Sequence, residues 1–314
     1  MIVQGQFPGE IDEKGCFVRQ GDSFRGWVHA DPAFPVHAAA DRYHLYVSLA
    51  CPWAHRTIII RKLKKLEKTI PMTIVDPLRD DLGWRFTFEP DPVNGFQYLS
   101  EAYLATDPSY RKRVTVPVLW DKQEHQIVSN SDDDIMRMFE TEFEAFAGDH
   151  VDFYPAPLRA EIDELNGWIF ERINDGVYRA GFATRQHAYE AAAFRLFESL
   201  DQLEARLATS RYLFGPKPVE SDWRLFVTLL RFDAVYHGHF KCNIRKIAEY
   251  PNLFGYLRDL YQIDDVASTV NFDHIKRHYY ITHDDINPTR IVPIGPAQDL
   301  AAPHRRERIG QPGV

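Results

Sequence analysis

Leu45, Val47 and Leu49 alternate with other residues across 43–49, the period-two spacing of a strand. Pro52 then fits the first turn of a helix, where its missing N–H has no partner to lose. The spacing predicts a helix over 52–66, with Ile58, Ile59, Leu63 and Leu66 inward and the run Arg61-Lys62-Leu63-Lys64-Lys65 as its wet face. Residues 70–76 read as a second strand. Strand, helix and strand at this spacing make a βαβ unit with parallel strands and a right-handed crossover. Residues 77–112 form a long connection rich in Gly, Pro, Asp and aromatics, of the kind that is usually functional. Another strand, 114–120, contains Pro117, and a hairpin across Asp121–His125 leads to a short strand at 126–130. Ser131 is the expected N-cap of the next helix, whose apolar face carries Ile135, Met136, Met138 and Phe139.

Past a linker at 143–157 the period becomes helical throughout. Helices are expected over 158–173, over 186–207 (apolar face Phe194, Phe197, Leu200, Leu203, Leu207), over 222–236 and over 251–261, with a last one ending near Tyr280. The fold class is therefore α/β plus all-α: an α/β domain over 41–145, then an all-helical domain over 155–280. An irregular arm, 1–40, precedes them with Phe17, Phe24 and Trp27 as anchors, and a tail, 281–314, follows.

Composition narrows the function. The 314 residues carry 37 basic and 45 acidic side chains, a formal net charge of -8, which gives no nucleic-acid footprint. No apolar run approaches the ~20 residues that span a bilayer, and the start of the chain lacks the basic and apolar regions of a signal peptide. Three scattered cysteines, Cys16, Cys51 and Cys242, make no disulfide framework. A reducing, cytoplasmic setting follows, with neither nucleic acid nor membrane as partner.

Cys51 stands where the first strand meets its helix. Free N–H groups and the helix dipole favour an anion there, and the thiolate is the reactive form of cysteine. A buried structural cysteine is the alternative. Position 54 is Ala, so no second cysteine closes a Cys-x-x-Cys disulfide, and a mixed disulfide on Cys51 requires an external thiol to resolve it. Cys16 and Cys242 are poor candidates for that step. His55, His237, His239, His274 and His278 lack the spacing of a zinc set, so no metal is expected.

A βα unit with cysteine at the helix start and a later Val-Pro strand resembles the thioredoxin fold, which implies a cis bond before Pro117 facing Cys51. Beyond that, 43–56 (YHLYVSLACPWAHR), 114–121 (VTVPVLWD), 176–183 (GVYRAGFA), 231–243 (RFDAVYHGHFKCN) and 271–280 (NFDHIKRHYY) together resemble the Xi class of glutathione transferases, the glutathionyl-hydroquinone reductases. The likeness runs from about Phe17 to Pro296. It implies a thioredoxin-like N-terminal domain, a helical C-terminal domain, a homodimer, and removal of a glutathionyl group from hydroquinone conjugates. Glutathione or another low-molecular-weight thiol would be the cosubstrate, with no bound cofactor. Cys51 would be the nucleophile, and Tyr178 with Tyr279 or Tyr280 would line the aromatic site. Trp84, Arg113, Val116 and Pro117 would contact the thiol ligand. Each of these tyrosines is also explicable as a packing aromatic, and Arg113 as a loop charge.

The sequence departs from this family twice. Where Glu-Ser usually follows Val-Ser-Asn, this chain has Ser131-Asp132, which sets a carboxylate near the γ-glutamyl end of glutathione. Weakened glutathione binding is the expectation; a pairing of Asp132 with the γ-glutamyl amine stays open, as does another thiol, such as mycothiol. Val219 replaces the hydroxyl residue that usually caps the following helix, at a cost of ~1 kcal/mol. A glutaredoxin-like thiol transferase and a non-catalytic binding protein are the alternative functions.

Overall fold

β1 (Tyr43–Val47) is buried along its whole length, because a neighbour lies on either side of it. In the computed structural model, which describes residues 9–87 and 89–309, it pairs in parallel with β2 (Met72–Ile74), Leu45 opposite Met72. On its other side it pairs antiparallel with β5 (Val118–Asp121), Leu45 opposite Leu119. β6 (Gln126–Ser129) completes a sheet ordered β2-β1-β5-β6. The helix α1 (Pro52–Leu63) is the crossover from β1 to β2 and packs against α3 (Asp132–Thr141). The first residues, on which the absence of a signal peptide and part of the N-terminal arm rest, and the last residues of the tail lie outside the described residues.

The basic run at the end of α1 is a wet face only in part, with Lys65 exposed and Lys62 half-exposed. Arg61 is buried, its guanidinium donating to the carbonyls of Ile70 and Glu67. Lys64 is only 1% exposed, and its Nζ holds Glu144 at 2.6 Å and the Val151 carbonyl at 3.1 Å. Long basic side chains can pack their stems and still satisfy their heads, so here charge did not mean exposure. Nor is the connection 77–112 without structure. It holds a two-stranded ribbon, β3 (Arg79–Asp80) and β4 (Gly83–Trp84), and then α2 (Ser100–Thr106), which packs on β6.

The chain divides into two compact units, the main division falling between Val151 and Asp152, inside the 143–157 stretch. The first takes in Gln20–Val151 together with Thr269–Thr282; the second takes in Gly9–Arg19, Asp152–Ser268 and the residues from His283 onward. The last helix, α9 (Phe272–Thr282), thus belongs with the α/β unit rather than with the helices before it. The reason is local: the His278 ring stacks on Trp84 (centroids 5.0 Å apart, 22° between planes) and bonds the Pro77 carbonyl at 2.8 Å, while Thr282 Oγ1 accepts the Arg79 N–H. Likewise the arm splits at Gln20. Phe17 is buried and Phe24 packs on Tyr103 and Tyr110 as anchors, whereas Trp27 is half-exposed and the adjacent Val28 is the fully buried residue.

The second unit is all helical: α4 (Arg159–Ile169), α5 (Gly176–Gly181), α6 (Gln186–Leu207), α7 (Glu220–Arg231) and α8 (Pro251–Tyr261). Two π-helical turns, Phe170–Asn174 and Phe232–Tyr236, extend α4 and α7. Every residue of α7 is buried, which makes it the core of this unit. Phe194 of α6 does not face inward as its spacing suggested; it is 67% exposed. The buried face of α6 runs through Leu196, Leu200, Leu203 and Leu207, and Phe194 lies about 200° around the helix from Leu196. At the start of α7, Val219 lacks a capping hydroxyl, but Asp222 accepts its N–H at 2.7 Å, so half of the capping box survives.

Candidate active site

The turn Ser48-Leu49-Ala50 delivers Cys51 to the N-cap of α1. The Cys51 N–H reaches back to the Ser48 carbonyl, and Cys51 itself keeps extended dihedrals, φ -74° and ψ 123°. Its Sγ accepts the Ala54 N–H at 3.5 Å. The hydrogen bond and the helix dipole both favour sulfur in its anionic form. On the other side, Sγ lies 3.5 Å from the Val116 carbonyl oxygen, to which the protonated thiol donates. The Val116–Pro117 peptide is cis. Cys51 is thus brought against Val116 and Pro117 by two separate segments, and as a residue it is buried, 8% exposed.

Ser131 caps α3 by accepting the Asp134 N–H at 3.3 Å. Asp132, the next residue, is not left as a bare carboxylate. Arg56 of α1, fully buried, donates Nη1 to Asp132 at 2.7 Å and reaches Asp133 at 3.4 Å. The guanidinium is stacked over Trp53 at 4.8 Å. Asp134 is paired with both Nε and Nη2 of Arg25, at 2.7 and 2.6 Å. The start of α3 therefore carries three carboxylates answered by two guanidinium groups.

The remaining candidates are placed by other elements. Arg113 is half-buried just ahead of β5, its carbonyl accepting the Tyr110 hydroxyl. Trp84 is buried in β4 against His278. Tyr279 and Tyr280 are both buried on α9 in the first unit. Tyr178 belongs to the second unit, on α5, in an aromatic cluster with Phe182, Tyr236 and Phe240. Arg19 lies over its ring at 4.7 Å and is fixed by Asp175 at 2.6 Å. Sequence reasoning missed Arg56, Arg19 and Asp175. For Arg56 a signal existed: a charged residue one turn past Cys51 amid Ala54, Ile58 and Ile59. For Arg19 and Asp175, which are 156 positions apart, there was none.

Of the other cysteines, Cys242 is fully buried and burial pushes its thiol up, which removes it as a resolving thiol. The histidines serve packing: His55 bonds Thr269, and His239 stacks on His283. Among the described residues no group of three or more His, Cys, Asp or Glu is placed to hold a metal ion, and no helix is long and apolar enough to cross a membrane.

Fold and site define a thioredoxin-like thiol protein with one cysteine at a helix start and a helical unit appended. Family models agree: the glutathione S-transferase N-terminal domain matches residues 50–142 and the C-terminal domain residues 186–259. Glutathionyl-hydroquinone reductase YqjG of Escherichia coli is 52% identical over 304 residues, 93% of each chain. Its glutathione-bound structure gives a TM-score of 0.88, covering 90% of this chain and 96% of that one. Glutathionyl-hydroquinone reductase PcpF of Sphingobium chlorophenolicum is 47% identical over 290 residues, 91% of each. A Xi-class glutathione transferase from Natrialba magadii gives a TM-score of 0.89 at 50% identity, covering 91% of this chain and 89% of that one. The chain belongs to the glutathione transferase family and, within it, to the Xi class.

Proposed function

We propose that this protein is a glutathionyl-hydroquinone reductase whose nucleophile is Cys51. The observation that carries the reading is the placement of Cys51 Sγ at the N-cap of α1, beside a cis proline, with Ala54 in the place of a second cysteine. Cys51 thiolate attacks the thioether sulfur of the conjugate. The carbon–sulfur bond breaks, the ring carbon takes a proton, and the glutathionyl group is left on Cys51 as a mixed disulfide. A second glutathione attacks that disulfide, releasing glutathione disulfide and restoring the thiol. Proton donation to a leaving group contributes typically ~10²–10⁴-fold, and a tyrosine among Tyr178, Tyr279 and Tyr280 is the proposed donor.

Glutathione is the proposed cosubstrate in spite of Asp132, because Arg56 takes up that carboxylate and the N–H groups of the α3 start remain an anion site. Arg113, Trp84 and the Val116 backbone complete the proposed thiol site. A homodimer working in the thiol-rich cytoplasm is the proposed form.

Incubation of the hydroquinone conjugate glutathionyl-menadiol with glutathione should yield menadiol and glutathione disulfide in equal amounts. Without added glutathione, intact mass should show one glutathionyl group, on Cys51. Cys51→Ser should remove the activity entirely; reduction that survives this change defeats the mechanism. A protein that reduces mixed disulfides yet leaves the thioether intact is instead a thiol transferase of the glutaredoxin type. One that binds the conjugate and forms no adduct is a binding protein. A panel of glutathione, γ-glutamylcysteine and mycothiol on the same conjugate fixes the thiol.

A further inference from the structure

The second unit holds a cavity that none of the candidate catalytic residues lines. Its volume is about 260 Å³, and it opens among the Gly9–Arg19 segment, the Phe170–Asn174 π-helical turn and the start of α6. In a chain of net charge -8, its wall is basic: Arg172, Arg179 and Arg195 face a single carboxylate, Glu171. Two of these arginines are committed. Arg195 Nη2 holds Glu171 at 2.6 Å, and Arg179 Nε holds Asp175 at 2.8 Å. Arg172 differs. Among the described residues its side chain makes no hydrogen bond or ion pair; Nε is shielded from solvent, whereas Nη1 and Nη2 are not.

The two Nη groups are open and have no acceptor, which leaves a charged fork free for a ligand. Arg172 also stands in a π-helical turn, a rare local form frequent at functional sites. The rest of the wall is apolar, with Phe17, Ala188 and Ala192 offering a ring and two methyl groups. The volume falls just under the ~300–1,000 Å³ range of ordinary ligand pockets, so a ring-sized molecule fits rather than a peptide or nucleotide.

We infer that this cavity binds a small aromatic carboxylate, its carboxylate paired end-on with Nη1 and Nη2 of Arg172 and its ring against Phe17 and Ala188. A guanidinium fork matches a carboxylate in two parallel hydrogen bonds, and one unanswered guanidinium fits one carboxylate. The site is distinct from the thiol site and does not depend on the reductase reading.

Titration calorimetry of the full chain with benzoate tests this. Benzoate should bind saturably, one per chain. Arg172→Gln should weaken binding by about tenfold or more. Ala192→Leu, which fills the cavity and leaves Arg172 in place, should weaken it comparably. Inorganic phosphate, without an apolar body, should bind at least about tenfold more weakly than benzoate. Cys51→Ser should bind benzoate as the native chain does. Cys16 lines the same cavity and supplies a readout on the unmutated protein: benzoate should slow its alkylation by iodoacetamide, followed by peptide mass mapping. The inference fails if benzoate does not saturate, if both variants bind it unchanged, or if glutathione displaces it.

Discussion

At the residue scale the decisive pairing is Arg56 with Asp132. The sequence shows the carboxylate of Asp132 as a misfit in a site built for an anion, but the guanidinium that answers it lies 76 positions away. Removing one partner of a buried pair typically costs ~3–5 kcal/mol, because the other charge is left uncompensated. Arg56→Gln should therefore destabilise the protein and set Asp132 against the γ-glutamyl carboxylate. KM for glutathione should rise about tenfold, the size of one weakened charged contact, with a smaller change in kcat. The double change Arg56→Gln with Asp132→Ser should recover most of the lost KM. Saturation curves for the three proteins check this; an unchanged KM would place Asp132 away from the thiol's carboxylate. His44 gives a second residue-level test. Its ring is buried on β1, bonded to Thr73 Oγ1 at 2.7 Å, and burial brings its pKa down to about 4 from 6.5. The folded chain thus holds a neutral imidazole where the unfolded chain would protonate. The stability it contributes is complete above pH 6.5 and is lost as pH falls toward 4, on the order of 3 kcal/mol in all. His44→Gln should flatten the fall of melting temperature across that window.

Elements were legible wherever their period was local. β1, α1, the β5–β6 hairpin and α3 with its Ser131 cap follow from spacing, caps and turn residues. What failed was placement against neighbours. The basic run of α1 reads as solvated until the carbonyls of Ile70 and Val151 are seen waiting for it. The ribbon β3–β4 is two residues a strand, too short for any period, and α9 carries a helical pattern that does not say which unit it will join. The cysteine half of the site was readable because it depends on one helix start; the acidic half was not, because it depends on two helices meeting. Close packing at α5 yields a prediction of the same kind. A Cβ on Gly181 would lie 2.2 to 2.7 Å from three ring atoms of Phe240, which itself packs against Tyr178 and Tyr236. Gly181→Ala must push that ring aside. Overpacking of this kind costs about 1–3 kcal/mol, and for a chain of this size a melting point should fall by roughly 2–5 °C. Thermal unfolding checks the stability. Because the displaced ring touches Tyr178, activity on the aromatic conjugate should drop further than thiol exchange on a small mixed disulfide.

On the scale of the whole chain, the tail from His283 onward is a structural member of the second unit. Arg306 is 2% exposed, and its guanidinium fans over four carbonyls. Nη2 donates to Leu207 at 2.9 Å, Ser210 at 2.6 Å and Arg211 at 3.0 Å, while Nη1 donates to Asn252 at 3.3 Å. Leu207 ends α6, so the cation also sits at the negative end of the longest helix of the second unit. The main chain before it lies close on α8, where a Cβ on Gly255 would come within 3.1 Å of the His304 carbonyl. Nothing in the composition of this Pro- and Arg-rich tail marks one arginine as buried, since its partners are main-chain groups that carry no side-chain signature. Arg306→Ala should leave those carbonyls without donors and open a cavity, at a cost of about 3–4 kcal/mol. Arg306→Lys should recover little, because one ammonium cannot span the acceptors that a planar fork reaches. Calorimetry should show both variants melting well below the native chain and close to each other, with the specific activity of the folded fraction at 25 °C unchanged. A lysine variant as stable as the native protein would mean that the charge alone, and not the fan of carbonyl contacts, holds the tail.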